Sequence, residues 1–198
     1  MKNDIERIVS EYLTYYPEER VNMSKLIELI IHNKENISNL FNRKNFEGHI
    51  TASGFIYCLS EDKLLLLEHK SLNKFLQPGG HVEKEDSEMI SAAKREVLEE
   101  TGISNMECVS ISGDINVPFD INSHYIPANE KKHEDGHYHH DFRYLFIINR
   151  LEDITIDYNE SNDYKWVSVS SLLDDGNFGL SIKKIVSLIR NKKKIMNK

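Results

Sequence analysis

Between Gln77 and Ile103 the chain sets a Pro78-Gly79-Gly80 turn ahead of a helical pattern that carries three carboxylates, Glu96, Glu99 and Glu100, within five residues. Ile90, Ala93 and Val97 recur at three- and four-residue spacing, so one face of this segment is apolar and has to pack on a core. Asp86 and Ser87 are good N-cap residues, which predicts a helix from there to Thr101. Gly102 supplies the left-handed residue on which helices commonly end. At about 100° per residue, the three glutamates share an arc of roughly 100° on the side opposite Leu98. Like charges that close weaken an isolated helix, and a cation among them removes the penalty. Hard divalent ions take oxygen ligands and share their shell with water and phosphate. An arbitrary E-x-x-E-E in a chain that is 29% charged is ordinarily a solvated face. Here the Pro-Gly-Gly turn, the Arg95 that precedes the first glutamate, and the Gly102-Ile103 pair outweigh that reading.

Gln77-Pro78-Gly79-Gly80-His81-Val82-Glu83, taken with Arg95-Glu96-Val97-Leu98-Glu99-Glu100-Thr101-Gly102-Ile103, resembles the signature of the Nudix hydrolase family, G-x5-E-x7-R-E-U-x-E-E-x-G-U with U aliphatic. The second half matches position for position. The first half has one inserted residue, and Asp86 stands where the signature has Glu. The resemblance implies an α/β fold, the Nudix-type α/β/α sandwich around a mixed sheet. It also implies a hydrolase of acid anhydrides of phosphorus, cleaving the diphosphate bond of a nucleoside diphosphate linked to another moiety. Such a bond is a poor electrophile because its charged oxygens repel a nucleophile, which is why metal ions assist the reaction.

By the same resemblance, Glu96, Glu99, Glu100 and the Gly80 carbonyl are expected to hold Mg²⁺ or Mn²⁺, with Glu99 and Glu100 essential to turnover. Arg95 is expected to orient the glutamates through a charge-assisted pair with Asp86. Family members recruit the general base from different places. Glu160, six residues before Trp166, resembles the loop glutamate of the dGTP-sanitising branch and is a candidate base or extra ligand. Glu83 is a further candidate next to the substrate, with a structural salt bridge as its alternative.

Residues 1–45 have a different character from 46–198. Ile5, Ile8, Val9 and Tyr12 have helical spacing, as do Met23, Leu26, Ile27, Leu29 and Ile30, and a shorter pattern holds Ile37, Leu40 and Phe41. Glu18, Glu19, Glu28 and Glu35 would make a poor DNA-facing surface, so the segment reads as a packing or dimerising extension to a Nudix domain over 46–198. His49–Cys58 and Lys63–Glu68, separated by Ser60-Glu61-Asp62, read as a hairpin. Strands are expected from Cys108 to Val117, Phe142 to Asn149 and Tyr164 to Val167, and a helix from Leu180 to Arg190. A formal charge of −7 with a pI near 5.7 argues against a nucleic-acid partner. Cys58 and Cys108 read as buried small residues. No leader or membrane-length apolar run is evident, so a cytoplasmic location is expected.

The stretch Pro118–Gly136 reads as a long loop leading into His137-Tyr138-His139-His140-Asp141, and four of the nine histidines lie within the eight residues from His133 to His140. One reading is a transition-metal site, although no cysteine stands nearby to assist it. The other is a substrate-facing segment in which His139 and Asp141, on one strand face, contact phosphate or ribose. The second is preferred over the first, and a plain surface loop stands as a third reading beside them.

Two other classes compete with hydrolysis. One is a Nudix-fold module that binds a nucleotide and regulates a partner, though the chain keeps all three carboxylates. The other is a prenyl diphosphate isomerase, which needs a cysteine in a polar active site, whereas Cys58 follows Phe55-Ile56-Tyr57.

Overall fold

The apolar periodicities become helices and strands in the computed structural model, which describes residues 4–130, 133–176 and 178–196. Two helices, α1 (Ile5–Tyr15) and α2 (Ser24–His32), are followed by a 3-10 segment over Lys34–Phe41. Next come β1 (His49–Cys58), β2 (Lys63–His69), β3 (Lys74–Leu76), β4 (Gly79–His81) and then α3 (Met89–Thr101). The remaining elements are β5 (Glu107–Val109), β6 (Asp120–Ile126), β7 (His137–Ile148), β8 (Ser161–Ser168) and α4 (Gly179–Met196).

The strands form one mixed sheet in the order β3-β2-β1-β7-β5, with β4 paired to β1, β6 to β7 and β8 to β2. β1 and β2 make the expected antiparallel hairpin, while β1 and β7 run parallel with His49 opposite His139. Alternation along each strand sorts side chains between two faces. Ile50, Ala52, Ile56 and Cys58 of β1 and Phe142, Tyr144 and Phe146 of β7 join the apolar residues of α1, α2 and α3 in one layer. Phe55, Tyr57, Leu145 and Ile147 face the other way and pack on Ile182, Ile185 and Ile189 of α4. Helices therefore cover both faces, giving the α/β/α sandwich. A Cβ built on Gly54 would lie 2.6 Å from Val97 and 2.7 Å from Phe146, so α3 rides directly on the central strands.

Several local expectations are corrected. Neither Asp86 nor Ser87 caps α3; Glu88 occupies the N-cap without a side-chain bond, because the Asp86 carboxylate is committed to Arg95 and to the Glu83 N–H. The strand expected from Cys108 to Val117 shortens to β5, since Ser110 Oγ accepts the N–H groups of Ser112 and Gly113 and turns the chain. The long loop after Pro118 contains a strand, β6, paired with β7 from Asp120 to Ile126. The polar run Asn122-Ser123-His124 conceals it from apolar patterning. The third N-terminal element is 3-10 rather than α, with a kink at Asn36.

A buried ionic chain ties α4 to the sheet and to the N-terminal helices. Arg143 reaches Asp141 at 3.0 Å and Asp120 at 3.2 Å, and Lys184 reaches Asp120 and Glu19, each at 2.6 Å. The Tyr12 hydroxyl accepts from Lys184 at 2.6 Å and donates to Glu19. Residues of α1 thus share both apolar and ionic contacts with the domain that follows.

Candidate active site

The turn and α3 meet where β4 runs beside β1, with Thr51 opposite His81, Ala52 opposite Gly80 and Ser53 opposite Gly79. Both glycines are required by close approach. A Cβ on Gly79 would lie 2.3 Å from the Ser53 Cβ, and one on Gly80 would lie 2.7 Å from Glu96 Oε2. The Gly79 N–H donates to Glu100 Oε1 at 2.7 Å, so the turn holds one end of the acidic cluster through its own backbone.

Arg95 organises the other end. Its Nε and Nη2 donate to the two Asp86 oxygens at 3.2 and 3.0 Å, and Nη2 also reaches the His81 carbonyl at 2.8 Å. Its Nη1 donates to Glu96 Oε1 and Glu99 Oε2, each at 2.9 Å. A planar guanidinium with five N–H donors suits such a fork, which an ammonium could not reproduce. Asp86 can replace the longer Glu because the segment before it turns tightly, with the Glu83 N–H donating to Asp86 Oδ2 at 2.8 Å. The inserted residue and the shorter acid are therefore accommodated together.

Glu96 and Glu100 are each only 8% exposed, whereas Glu99 is open to solvent. Burial pushes the Glu96 carboxyl up to about 7 against the pull of Arg95, with Glu99 and Glu160 adding to the rise. Burial likewise pushes Glu100 up to about 8 against the Gly79 N–H, and Glu96, Glu160 and Asp157 add to it. The helix thus gathers more negative charge than Arg95 neutralises. A set of hard oxygen donors with surplus negative charge, beside a carbonyl-bearing glycine turn, fits a divalent cation such as Mg²⁺.

The other anticipated residues fall in different settings. Glu160 is exposed in the turn before β8, where its carbonyl accepts the Lys70 N–H at 2.8 Å and its charge acts on both buried glutamates. Glu83 is exposed beyond His81, and its backbone bonds twice to Asp86, the N–H donating to Oδ2 at 2.8 Å and the carbonyl accepting the Asp86 N–H at 3.3 Å. Asp141 is 5% exposed, and its Oδ2 accepts from Ser53 Oγ at 2.8 Å, Gln77 Nε2 at 3.2 Å and Arg143 Nε at 3.0 Å. That network ties the Arg143 and Gln77 side chains to the Ser53 hydroxyl through one carboxylate oxygen. Cys58 is fully buried in the apolar layer, away from the polar setting that isomerase chemistry needs.

His139 lies among histidines from three other strands. Its ring centroid is 4.5 Å from that of His49, 5.6 Å from His81 and 5.8 Å from His124, with His137 of its own strand at 5.0 Å. Burial first, then the neighbouring rings, push His49 down to about 4 and His139 to about 2. Both imidazoles are uncharged at neutral pH. Sequence reasoning missed His49 and His81, which stand 90 and 58 residues from His139 in the chain and meet it only through strand pairing. It missed Asp157 as well, which is one turn away from the anticipated Glu160.

Comparison with known proteins places this geometry. The family model described as NUDIX domain matches residues 49–187. A curated protein of Lactococcus lactis subsp. cremoris, described as a probable DHNTP pyrophosphohydrolase, is 34% identical over 131 residues, covering 66% of this chain and 73% of that protein. Among solved structures, a NUDIX-family hydrolase from Clostridium perfringens superposes with a TM-score of 0.54 at 26% identity, over 71% of this chain and 97% of its own. The dihydroneopterin triphosphate pyrophosphohydrolase of E. coli shares the fold with a TM-score of 0.53 at 15% identity, over 68% of this chain and 92% of its own. No helix among the described residues is long and apolar enough to cross a membrane.

Proposed function

This chain belongs to the Nudix family and is a hydrolase of phosphorus-containing anhydrides, and on that premise we propose that it cleaves the diphosphate bond of a nucleoside diphosphate derivative at the Glu96-Glu99-Glu100 cluster. The observation that carries this reading is the joint placement of three glutamates, the Gly79-Gly80 turn and Arg95 described above. Glu96, Glu99, Glu100 and the Gly80 carbonyl would hold Mg²⁺ or Mn²⁺. When bound, such an ion neutralises phosphate charge and helps ionise water.

The chain's own groups have separable tasks. Arg95 is a positioning residue, fixing Glu96 and Glu99 against Asp86. The Gly79 N–H fixes one oxygen of Glu100. We assign the base to Glu160, which is exposed and whose charge acts on Glu96 and Glu100. It takes the proton of the water whose oxygen attacks phosphorus, while the bridging P–O bond breaks and the leaving phosphate carries off the electron pair. Residues 1–45 form a packing extension to the catalytic domain over 46–198, and a homodimer through that extension is compatible with it.

For the substrate, the 34% identical relative adds a candidate outside the nucleoside class, dihydroneopterin triphosphate, which carries the same phosphoric anhydride linkage. The test is a panel of that compound, nucleoside triphosphates, ADP-ribose, dinucleoside polyphosphates and sugar nucleotides, assayed with Mg²⁺ or Mn²⁺. Release of phosphate or pyrophosphate that chelator abolishes is expected for at least one member, with the pterin compound among the best. Binding without release across the whole panel would overturn hydrolysis and leave a regulatory nucleotide-binding module.

A further inference from the structure

We propose that His49, His137 and His139 form a second metal site, distinct from the glutamates, that takes a borderline divalent transition ion of the Zn²⁺ or Co²⁺ class. The inference does not depend on which anhydride is cleaved.

The geometry is that of a ligand set. One ring nitrogen from each of the three lies within 4.8 Å of the others. His137 Nε2 and His139 Nε2 are 3.1 Å apart, and so are His49 Nε2 and His81 Nε2. Nitrogens bound to a tetrahedral ion at about 2.0–2.1 Å lie roughly 3.3 Å from one another. The His137–His139 separation is within a few tenths of an ångström of that, and His49 joins the pair within 4.8 Å. Three imidazoles leave one tetrahedral position, and His81 is a further histidine beside His49.

One tautomer is determined by its partner. His137 Nδ1 lies 2.7 Å from the Asp135 carbonyl oxygen. A carbonyl only accepts, so Nδ1 carries a proton, which leaves Nε2, 3.1 Å from His139 Nε2, as the nitrogen a metal would take. A backbone carbonyl behind the outer nitrogen is the usual device that orients a ligating histidine. The scaffold is rigid as well. His49 and His139 are register partners in the parallel β1–β7 pair, His137 lies two residues along the same face, and His81 arrives on β4 opposite Thr51.

The chemistry separates this site from the acidic cluster. Imidazole suits zinc-like ions, while carboxylate and carbonyl oxygens suit Mg²⁺. His49 and His137 are 1% and 4% exposed, and their rings stack on one another at 5.0 Å rather than facing a phosphate in solvent. The substrate-contacting role preferred from sequence for His139 therefore gives way to ligation.

The test is a Co²⁺ titration of the metal-free full-length chain, followed by visible absorption. One Co²⁺ per chain with the d–d bands of nitrogen ligation is expected, displaced by Zn²⁺ but not by excess Mg²⁺. His139→Gln and His137→Gln should each weaken Co²⁺ binding at least ~10-fold, on the scale that supporting residues alone command in metal sites. E99Q/E100Q should leave the Co²⁺ spectrum in place. His139 is half-buried, so its variant keeps the measurement available should the more buried His137 not tolerate change; far-UV circular dichroism verifies the fold. Failure to bind Co²⁺, or binding that vanishes in E99Q/E100Q and survives in H139Q, would overturn the site and leave the rings as hydrogen-bonded pairs.

Discussion

The acidic cluster on α3 and the histidine cluster on β1, β4 and β7 share β4 yet lie on opposite faces of the sheet. Adjacent residues divide them: the missing side chain of Gly80 makes room for the Glu96 carboxylate, while His81 turns to the other face and meets His49. Burial reaches both clusters, at Glu96 and Glu100 in one and at His49 in the other, but it acts in opposite directions. It raises Glu96 and Glu100 towards the protonated, uncharged form and lowers His49 and His139 towards the deprotonated, uncharged form. The same desolvation thus prepares one cluster to gain from a hard cation and leaves the other with neutral lone pairs. The difference shows that metal preference is set by donor type, and that the fold supplies only proximity.

The sharpest way to break this contrast is to remove one acidic donor. Glu100→Gln, or Glu99→Gln, is expected to lower kcat at least ~100-fold on any accepted anhydride, as loss of a metal ligand or base should. Near wild-type turnover in both variants would remove the cluster from catalysis.

A milder perturbation tests the divide at β4. Gly80→Ala places a methyl 2.7 Å from Glu96 Oε2, forcing that carboxylate to move. Activity is expected to fall ~10-fold or more, with stability reduced by roughly 1–3 kcal/mol as in overpacked interiors. Denaturant midpoints and kcat measured together check it. If the two clusters are separate, Co²⁺ binding by the same variant changes less than its activity does.

The smallest effect is thermodynamic. Glu96 and Glu100 titrate at about 7 and 8 in the folded chain, above their ordinary 4.5, so the folded protein holds protons that the unfolded chain has released. Stability contributed by these groups falls as pH rises through that window. His49, His139 and His140, lowered to about 4, 2 and 4 from 6.5, act only below pH 6.5, where protonation of the unfolded chain favours unfolding. Metal-free protein is therefore expected to be most stable near pH 6.5 and to lose on the order of 1 kcal/mol by pH 8. Mg²⁺ should flatten that decline by replacing the protons. Urea midpoints at the two pH values, with and without Mg²⁺, measure it; a stability that rises over this range would contradict the burial of the glutamates.

Much of the acidic site was legible because it is nearly contiguous. The stripe of Ile90, Ala93 and Val97 and the arc of glutamates follow from helical spacing, and Gly102 ends the helix with φ of 76° as expected. The pairing of Arg95 with Asp86 was anticipated from the signature, but the means by which a shorter acid after an insertion still reaches it was not. That depends on the Glu83 backbone folding back onto Asp86. Strand β6 was hidden for another reason: its Asn122-Ser123-His124 run lacks apolar alternation, and its pairing rests on backbone bonds to β7 rather than on an apolar pattern.

The order of residues from Gln77 to Ile103 by itself determined the family, the class of chemistry and the helix that presents the carboxylates. Helical contacts three and four residues apart are local and can be counted along the chain. Only the tertiary structure decided that His49, His81, His137 and His139 would share one pocket. Strand register is a non-local property, fixed by which apolar faces of β1 and β7 pack between α3 and α4, and no spacing within any one segment encodes it.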